Sequence, residues 1–202
     1  MTYNILAINP GSTSTKIAVY KNEDQLFTTS ISHTPEELAG FKSVNEQFEW
    51  RKGLILKNLA ENNIDMKKLS AVVGRGGVIS PIESGAYEVN DDLIHDLLNA
   101  RMQHASNLGG LLARDIADSI GVKSYIADPV VVDEMMPYAR ISGVPELPRE
   151  SIFHALNQKA VARLFAKESD KKYEDLNLVV CHMGGGCTVS AHRRGRVIDT
   201  TN

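Results

Sequence analysis

Two glycine-containing turns carry the groups in this sequence best suited to holding a phosphate. At the first, an apolar run at 5–8 (ILAI) gives way to Asn9, Pro10, Gly11, Ser12, Thr13, Ser14, Thr15 and Lys16. A glycine lets main-chain N–H groups converge on an anion, and the hydroxyls and ammonium add donors and positive charge. At the second, residues 178–181 (LVVC) lead into His182, Met183, Gly184, Gly185 and Gly186, with Thr188 and Ser190 following. Either turn alone reads equally as an ordinary polar turn, because Ser, Thr and Gly favour turns. Their shared layout changes the reading. Apolar run, polar residue (Asn9 or His182), glycine (Gly11 or Gly184) and hydroxyl-bearing strand recur in the same order. Internal similarity at this distance implies two related domains gripping a phosphate from both sides. Neither turn is a P-loop, since no G-x-x-x-x-G-K-[ST] occurs, and no G-x-G-x-x-G follows a strand.

The elements that must position these turns follow from periodicity. Residues 5–8, 16–20 and 25–31 read as three strands. Thr34, Pro35 and Glu37 form a helix start, and Val44, Phe48, Ile55 and Leu59 share one helical face, so a long helix is expected over this region. Residues 69–73 form a strand ending in Gly74-Arg75-Gly76-Gly77, and 86–89 a short strand. Leu93, Ile94, Leu97 and Leu98 mark a helix. Ser106 is expected to cap the next one, which carries Leu108, Leu111, Leu112 and Ile116 and stops at Gly121. Residues 124–127 are a strand. The segment 129–149 holds four prolines and no clean period, which places a domain boundary there. Ile152, Phe153, Leu156, Ala160 and Leu164 then mark a helix, and the second glycine turn follows between strands.

Composition narrows the function. The chain has 202 residues and a net charge of −3, with no basic tract longer than HRRGR, so a nucleic-acid partner is not indicated. The first apolar run is too short and lacks the basic flank of a signal peptide, and no run is long enough to span a bilayer. Two cysteines, Cys181 and Cys187, are too few for a disulfide framework, which points to the reducing cytoplasm.

The segments NPGSTSTK, GRGG, HASN, DPVVVDE, ARISGVPE, SIFHALNQKA and HMGGG together resemble the acetate and butyrate kinase family, and in particular its butyrate-kinase branch. The resemblance runs over essentially the whole chain. It implies an α/β fold: a ribonuclease H-like, actin-like ATPase domain with a mixed sheet at 1–149, then the incomplete beginning of a second related domain at 150–202. It also implies transfer of the γ-phosphoryl of ATP to a short-chain carboxylate, with Mg²⁺, giving ADP and an acyl phosphate, reversibly. A homo-oligomer is expected at full length.

The residues fit that chemistry. A carboxylate is already ionised at neutral pH and needs no general base; the obstacle is repulsion between two anions. Arg75, in its glycine loop, can meet a carboxylate or phosphoryl oxygens, although a solvated loop arginine is the alternative. His104, Asp128 and His154 are the further catalytic candidates. His154, Asn157 and Gln158 share a helical stripe, and a solvent-facing stripe is the rival reading. His182 reads equally as a phosphate ligand or a hydrogen-bonded core histidine. By resemblance, Asn9 and Asp128 lie near the metal; a turn-forming Asp before Pro129 is the alternative for the second. Gly77 leaves room for extra methylenes on the acid, and Phe153 forms another wall or simply packs the core. The phosphate set is Asn9, Gly11, Ser12, Thr13, Ser14, Lys16, His182, Gly184, Gly185 and Gly186.

The family's members continue well past residue 202. The adenosine-binding segment, a further arginine and a metal-proximal glutamate are expected in that continuation, and this chain alone is expected to bind ATP poorly and turn over little. Two rival readings remain open from the residues. One is a non-catalytic nucleotide-sensing module on the same fold. The other is a sugar kinase with Asp128 as its base.

Overall fold

The computed structural model describes residues 1–184 and 186–201. The chain divides into two compact units: Met1–Ile79 with Ala86–Ala127, and Ser80–Gly85 with Asp128–Asn202.

The first unit is an α/β layer structure. Its strands are β1 (Asn4–Pro10), β2 (Ser14–Lys21), β3 (Asp24–Ser32), β4 (Ala71–Arg75), β5 (Ala86–Glu88) and β6 (Lys123–Ala127), in the order β3-β2-β1-β4-β6-β5. β1, β4 and β6 run parallel, and the remaining pairs are antiparallel. The sheet is therefore mixed, as the sequence implied. Its helices are α1 (Pro35–Ala39), α2 (Phe48–Glu61), α3 (Asp91–Leu98) and α4 (Asn107–Ile120). Leu6, Ile8, Ile17, Val72 and Ile126 of the sheet pack with Ile55, Leu59, Leu108, Leu112 and Ile116 of the helices. α4 approaches β4 unusually closely. A Cβ on Gly74 would lie 2.0 Å from the Gly109 carbonyl oxygen, so only glycine fits.

Two helical expectations change. The capping box at Thr34 forms, with Glu37 N–H donating to Thr34 Oγ1 at 3.2 Å and Thr34 N–H to Glu37 Oε2 at 2.8 Å. But α1 ends at Ala39, and no single long helix forms. Gly40 is a poor helix former, Phe41 turns in against Trp50 with ring centroids 5.3 Å apart, and Glu46 accepts from Lys42 N–H to begin the chain afresh. Ser106 precedes α4 but does not cap it; its backbone is already helical and its hydroxyl turns to His104.

The second unit holds α5 (Ala155–Glu168) and an antiparallel sheet of β7 (Asn177–Met183), β8 (Cys187–Arg193) and β9 (Arg196–Thr200). This meander repeats β1–β2–β3. Asn9 pairs with Lys16 beside the first turn, and His182 with Thr188 beside the second. β2 meets β3, and β8 meets β9, through two-residue loops, Asn22-Glu23 and Arg194-Gly195, and each pair carries one register shift near its start. The left-handed backbone at Asn22, Arg194 and Gly195 suits tight hairpin turns.

The units divide at Ala127/Asp128 rather than at 149/150. The proline-rich segment is built into the second unit: Phe153 N–H donates to Val130 O at 3.0 Å and Met136 N–H to Ile198 O at 3.0 Å. Residues 80–85 join it through the Ile82–Val132 bridge. α5 also differs from its sequence reading. Ile152 and Phe153 precede it, and Leu156, Ala160 and Leu164 are exposed. The buried face is Ala155, Gln158, Lys159, Ala162 and Ala166. Two polar residues thus hold the inner face. Lys159 pairs with Glu134 at 2.8 Å with both side chains buried, and Glu134 also accepts from Val197 N–H at 2.7 Å.

Candidate active site

In the first unit, three adjacent strands bring Lys16, Asn9 and Arg75 side by side. Asn9 and Lys16 are register partners, and the parallel β1–β4 pairing ends at Ile8–Gly74, which places Arg75 next to Asn9. The Arg75 guanidinium donates to Asn9 Oδ1 at 3.5 Å. Among the described residues it forms no ion pair. Burial lowers its pKa, so its positive charge is held in a poorly solvated place. His104 lies within reach of that charge: burial first, and the Arg75 charge second, lower its pKa and keep the ring neutral. Ser106 N–H donates to His104 Nδ1 at 3.2 Å, so Nδ1 is the lone-pair nitrogen and Nε2 carries the proton.

Asn107, within the HASN segment, holds the arginine loop. Its Oδ1 accepts from Val78 N–H at 2.9 Å and its Nδ2 donates to Met102 O at 2.9 Å. The sequence reading gave Gly77 to the acyl chain. The structure puts Asn107 in that space, with its Oδ1 only 2.5 Å from where a Cβ would stand. Glycine at 77 therefore serves the approach of α4.

The first turn is supported from beneath by Arg51, a residue sequence reasoning missed. Arg51 is 1% exposed. Its Nη1 donates to Gly11 O (3.0 Å), Ser14 O (3.3 Å) and Thr15 Oγ1 (2.8 Å), and its Nε and Nη2 reach Gln47 Oε1. Thr15 Oγ1 also meets His33 Nε2 at 2.8 Å, and His33 packs on Trp50. Gly11 N–H closes the turn onto Ser14 O at 2.7 Å. Ser12 and Thr13 are exposed, Ser14 half-buried and Lys16 exposed. A signal for Arg51 existed: it falls between Phe48 and Ile55 on the apolar stripe of α2, where a charge needs a reason.

In the second unit, His154 and His182 stack face to face, with centroids 3.8 Å apart and planes 12° apart. His154 Nδ1 meets Thr188 Oγ1 at 2.9 Å, and His182 Nδ1 meets Asn157 Oδ1 at 2.8 Å. A Cβ on Gly186 would stand 3.4 Å from His154 Nε2, and one on Gly184 3.7 Å from His182 Nε2. Both imidazoles therefore border the glycine turn; Gly185 lies outside the described residues. Gln158 is fully buried, not solvent-facing: its Nε2 donates to Thr188 O (3.1 Å) and Thr188 Oγ1 (2.9 Å). Phe153 is 2% exposed and packs with Val132, Ala155 and Val197, the core place its sequence left open.

Asp128 is buried with left-handed backbone (φ 37°). Its Oδ1 accepts from Ser84 Oγ at 2.6 Å and Gly85 N–H at 3.0 Å, and its Oδ2 pairs with Arg163 at 3.3 Å. A buried residue held in an uncommon backbone conformation by three partners is more than a turn former. Among the described residues no group of three His, Cys, Asp or Glu side chains could hold a metal ion. Asn9 lies in the first unit and Asp128 in the second, and each offers oxygen donors of the kind Mg²⁺ takes, an ion that keeps most of its waters and few protein ligands. Among the described residues no helix is long and apolar enough to cross a membrane.

Comparison with known proteins agrees with these features. Residues 146–202 match the model of the Acetokinase family. The whole chain is 55% identical to Butyrate kinase 2 of Clostridium acetobutylicum and to a probable butyrate kinase of Clostridium botulinum (strain Eklund 17B / Type B), and spans 57% of each. Among solved structures, acetate kinase from Porphyromonas gingivalis matches 98% of this chain with a TM-score of 0.71 at 16% identity, the chain covering 57% of it. A propionate kinase from Francisella tularensis matches the same share at 0.65 and 18% identity, with 56% of that chain covered. The fold is the actin-like ATPase fold of these kinases. Over its full length this chain is similar to the butyrate kinases, and it spans a little over half of their length.

Proposed function

We propose that this chain carries the acceptor and phosphoryl-handling residues of a kinase that phosphorylates a short-chain carboxylate, butyrate or a branched relative, from ATP. One observation carries the reading. Arg75 is a poorly solvated guanidinium with no ion pair among the described residues, set beside the neutral Nε2–H of His104. A cation held in reserve beside a neutral donor is what an incoming carboxylate needs.

In this reading the Arg75 guanidinium takes the carboxylate and screens its charge from the phosphoryl group. The carboxylate oxygen attacks the γ-phosphorus in line, the bond to the bridging oxygen breaks, and ADP leaves with that electron pair. No proton moves to or from the acceptor. His104 donates through Nε2–H to the developing charge. In the first unit the turn at 11–14 and Lys16 offer donors to phosphate oxygens, and in the second unit Gly184, Gly186, His154 and His182 do so. Asn9 in the first unit and Asp128 in the second are each a candidate to hold Mg²⁺ through its waters, and the ion when bound would supply charge neutralisation to the phosphates. Preference among short acids is soft, about 0.8 kcal/mol per buried methylene.

The test is calorimetric titration of the chain with butyrate and with neutral butyramide. Butyrate binds and butyramide does not, and Arg75→Gln weakens butyrate at least tenfold, the loss expected for a charge-assisted pair. Equal binding of the two ligands, or an Arg75→Gln chain that binds butyrate as well as the parent, overturns it.

A further inference from the structure

A continuous line of buried polar groups runs through the second unit and ends at His154. Tyr173 Oη meets His192 Nδ1 at 2.6 Å; His192 Nε2 meets Gln158 Oε1 at 3.1 Å; Gln158 Nε2 meets Thr188 Oγ1 at 2.9 Å; Thr188 Oγ1 meets His154 Nδ1 at 2.9 Å. Gln158, His192, Thr188 and Tyr173 are each under 7% exposed.

The direction of every bond in this line follows from one fixed point. The Thr188 carbonyl can only accept, and it lies 3.1 Å from the Gln158 amide. The amide must therefore turn its NH₂ toward Thr188 and its oxygen toward His192. Gln158 Oε1 then accepts from His192 Nε2–H, which leaves Nδ1 of the neutral ring to accept from the Tyr173 hydroxyl. Neutrality of that ring agrees with its surroundings. Burial, and next the Lys159 charge, lower the His192 pKa to about 4. Burial likewise pushes the Tyr173 hydroxyl up to about 12, so it keeps its proton. At the other end, Thr188 Oγ1 accepts from Gln158 Nε2–H and, at 3.5 Å, from His154 N–H. A hydroxyl has one proton and two lone pairs. With both lone pairs taken, its proton goes to His154 Nδ1.

We propose that Tyr173, His192, Gln158 and Thr188 are positioning residues that fix His154 as the Nε2–H tautomer, so that its ring presents a hydrogen-bond donor, and not a lone pair, toward the turn at Gly186. Its consequence for phosphate rests on the reading of that turn as an anion site. A lone pair facing a phosphoryl oxygen repels it; an N–H binds it. The line sets the donor without placing a charge in the core, and its far end lies on the connector between α5 and β7, away from the turn in sequence.

The test uses the ¹⁵N-labelled 202-residue chain and long-range ¹H–¹⁵N correlation spectra of its imidazoles above pH 7. His154 shows a protonated Nε2 and an unprotonated Nδ1. Thr188→Val turns this single tautomer into the mixed population of an unrestrained imidazole, and Thr188→Ser restores it. Gln158→Glu, measured where the new carboxylate is ionised, takes the Thr188 proton for itself and drives His154 toward the Nδ1–H or doubly protonated form. The His104 ring, fixed by its own turn in the first unit, stays unchanged in all three variants and reports that the chain is folded. A parent chain with His154 protonated at Nδ1, or a tautomer indifferent to both Thr188→Val and Gln158→Glu, overturns the proposal. Titration with inorganic phosphate separates the two readings. Phosphate is expected to shift the His154 Nε2 signal and to bind about tenfold more weakly to Thr188→Val. A fixed Nε2–H tautomer that phosphate does not touch upholds the line and removes the anion reading of the turn instead.

Discussion

The two meanders share the loop length, register and register shift of their second hairpin and differ by one residue across the first turn, yet they are supported by opposite means. Beneath the first turn stands a charge: Arg51, buried, with its guanidinium spread over Gly11 O, Ser14 O, Thr15 Oγ1 and Gln47 Oε1. Behind the second runs a neutral line from Tyr173 to His154. The surroundings differ in the same sense. β1 is flanked by β2 and β4 and its Leu6 and Ile8 are buried. β7 lies at the edge of a three-stranded sheet, with Val179 and Met183 more than 70% exposed. A repeated topology thus fixes where a turn falls, while the groups that make it rigid are chosen separately in each copy.

Both units also deliver a histidine in one protonation pattern. His104 and His154 each keep a lone pair on Nδ1 and a proton on Nε2. The first does so through a local turn in which Ser106 N–H donates to the ring. The second does so through partners up to 38 residues away in sequence, from His154 to His192. The local device is cheap in ordered groups and the remote one is costly, because a buried line is useful only if every member is satisfied.

Breaking the two regions separately sharpens the contrast. The largest effect is expected at Gly74→Ala, where the new Cβ would meet the Gly109 carbonyl at 2.0 Å. Displacing α4 from β4 costs about 4 kcal/mol or more, and denaturant unfolding shows it as loss of the first unit. Arg51→Ala comes next. It removes the charged donor of Gly11 O and Gln47 Oε1 and one of the two donors of Ser14 O, at about 3 kcal/mol, whereas Gln158→Leu in the second unit costs about 2 kcal/mol because its lost bonds join neutral partners. Equal losses from both would erase the distinction between charged and neutral support.

A further effect is graded with pH, and at any one pH only part of it is felt. His33, His104 and His192 all have lowered pKa values, with burial the first cause in each. They are neutral when folded and bind protons more readily when unfolded. Their stabilising contribution is complete above 6.5 and is lost as pH falls through the folded values. For His192 that window runs from 6.5 down to about 4. The total for a shift of this size is about 3 kcal/mol, spread over the window. Thermal unfolding at stepped pH reads it, and His192→Gln, which keeps a neutral polar side chain, flattens the slope.

Much of the fold was legible because strands and turns announce themselves locally. The runs at 5–8 and 178–181 lie within the strands they suggested, the run at 69–73 overlaps β4 from Ala71, and the recurrence of run, polar residue and glycine pointed to the second meander. The helices were less faithful. In α5 the larger apolar residues Leu156 and Leu164 are exposed, while the small Ala155, Ala162 and Ala166 with Gln158 and Lys159 face inward. Size-weighted periodicity chose the wrong face because the inner face is polar, and its partners Glu134, Thr188 and His192 lie on other elements. The same non-locality joins residues 80–85 to the second unit, through the Ile82–Val132 bridge and through Ser84 and Gly85 at Asp128. At the candidate site, sequence named Arg75, Asn9, His104, His154 and His182, all of which now stand in defined surroundings. It did not name Arg51 or Asn107, whose work is to hold those surroundings still.

The central claim is that Arg75 is a reserved cation for a carboxylate. Nitrogen spectra of the Arg75 guanidinium, followed during titration with butyrate, test it most directly. The account predicts that the guanidinium signals of Arg75 move with butyrate, that the His104 Nε2–H moves with them, and that butyramide leaves both where they were. Arg75 signals that ignore butyrate while the acid binds elsewhere on the chain would contradict it.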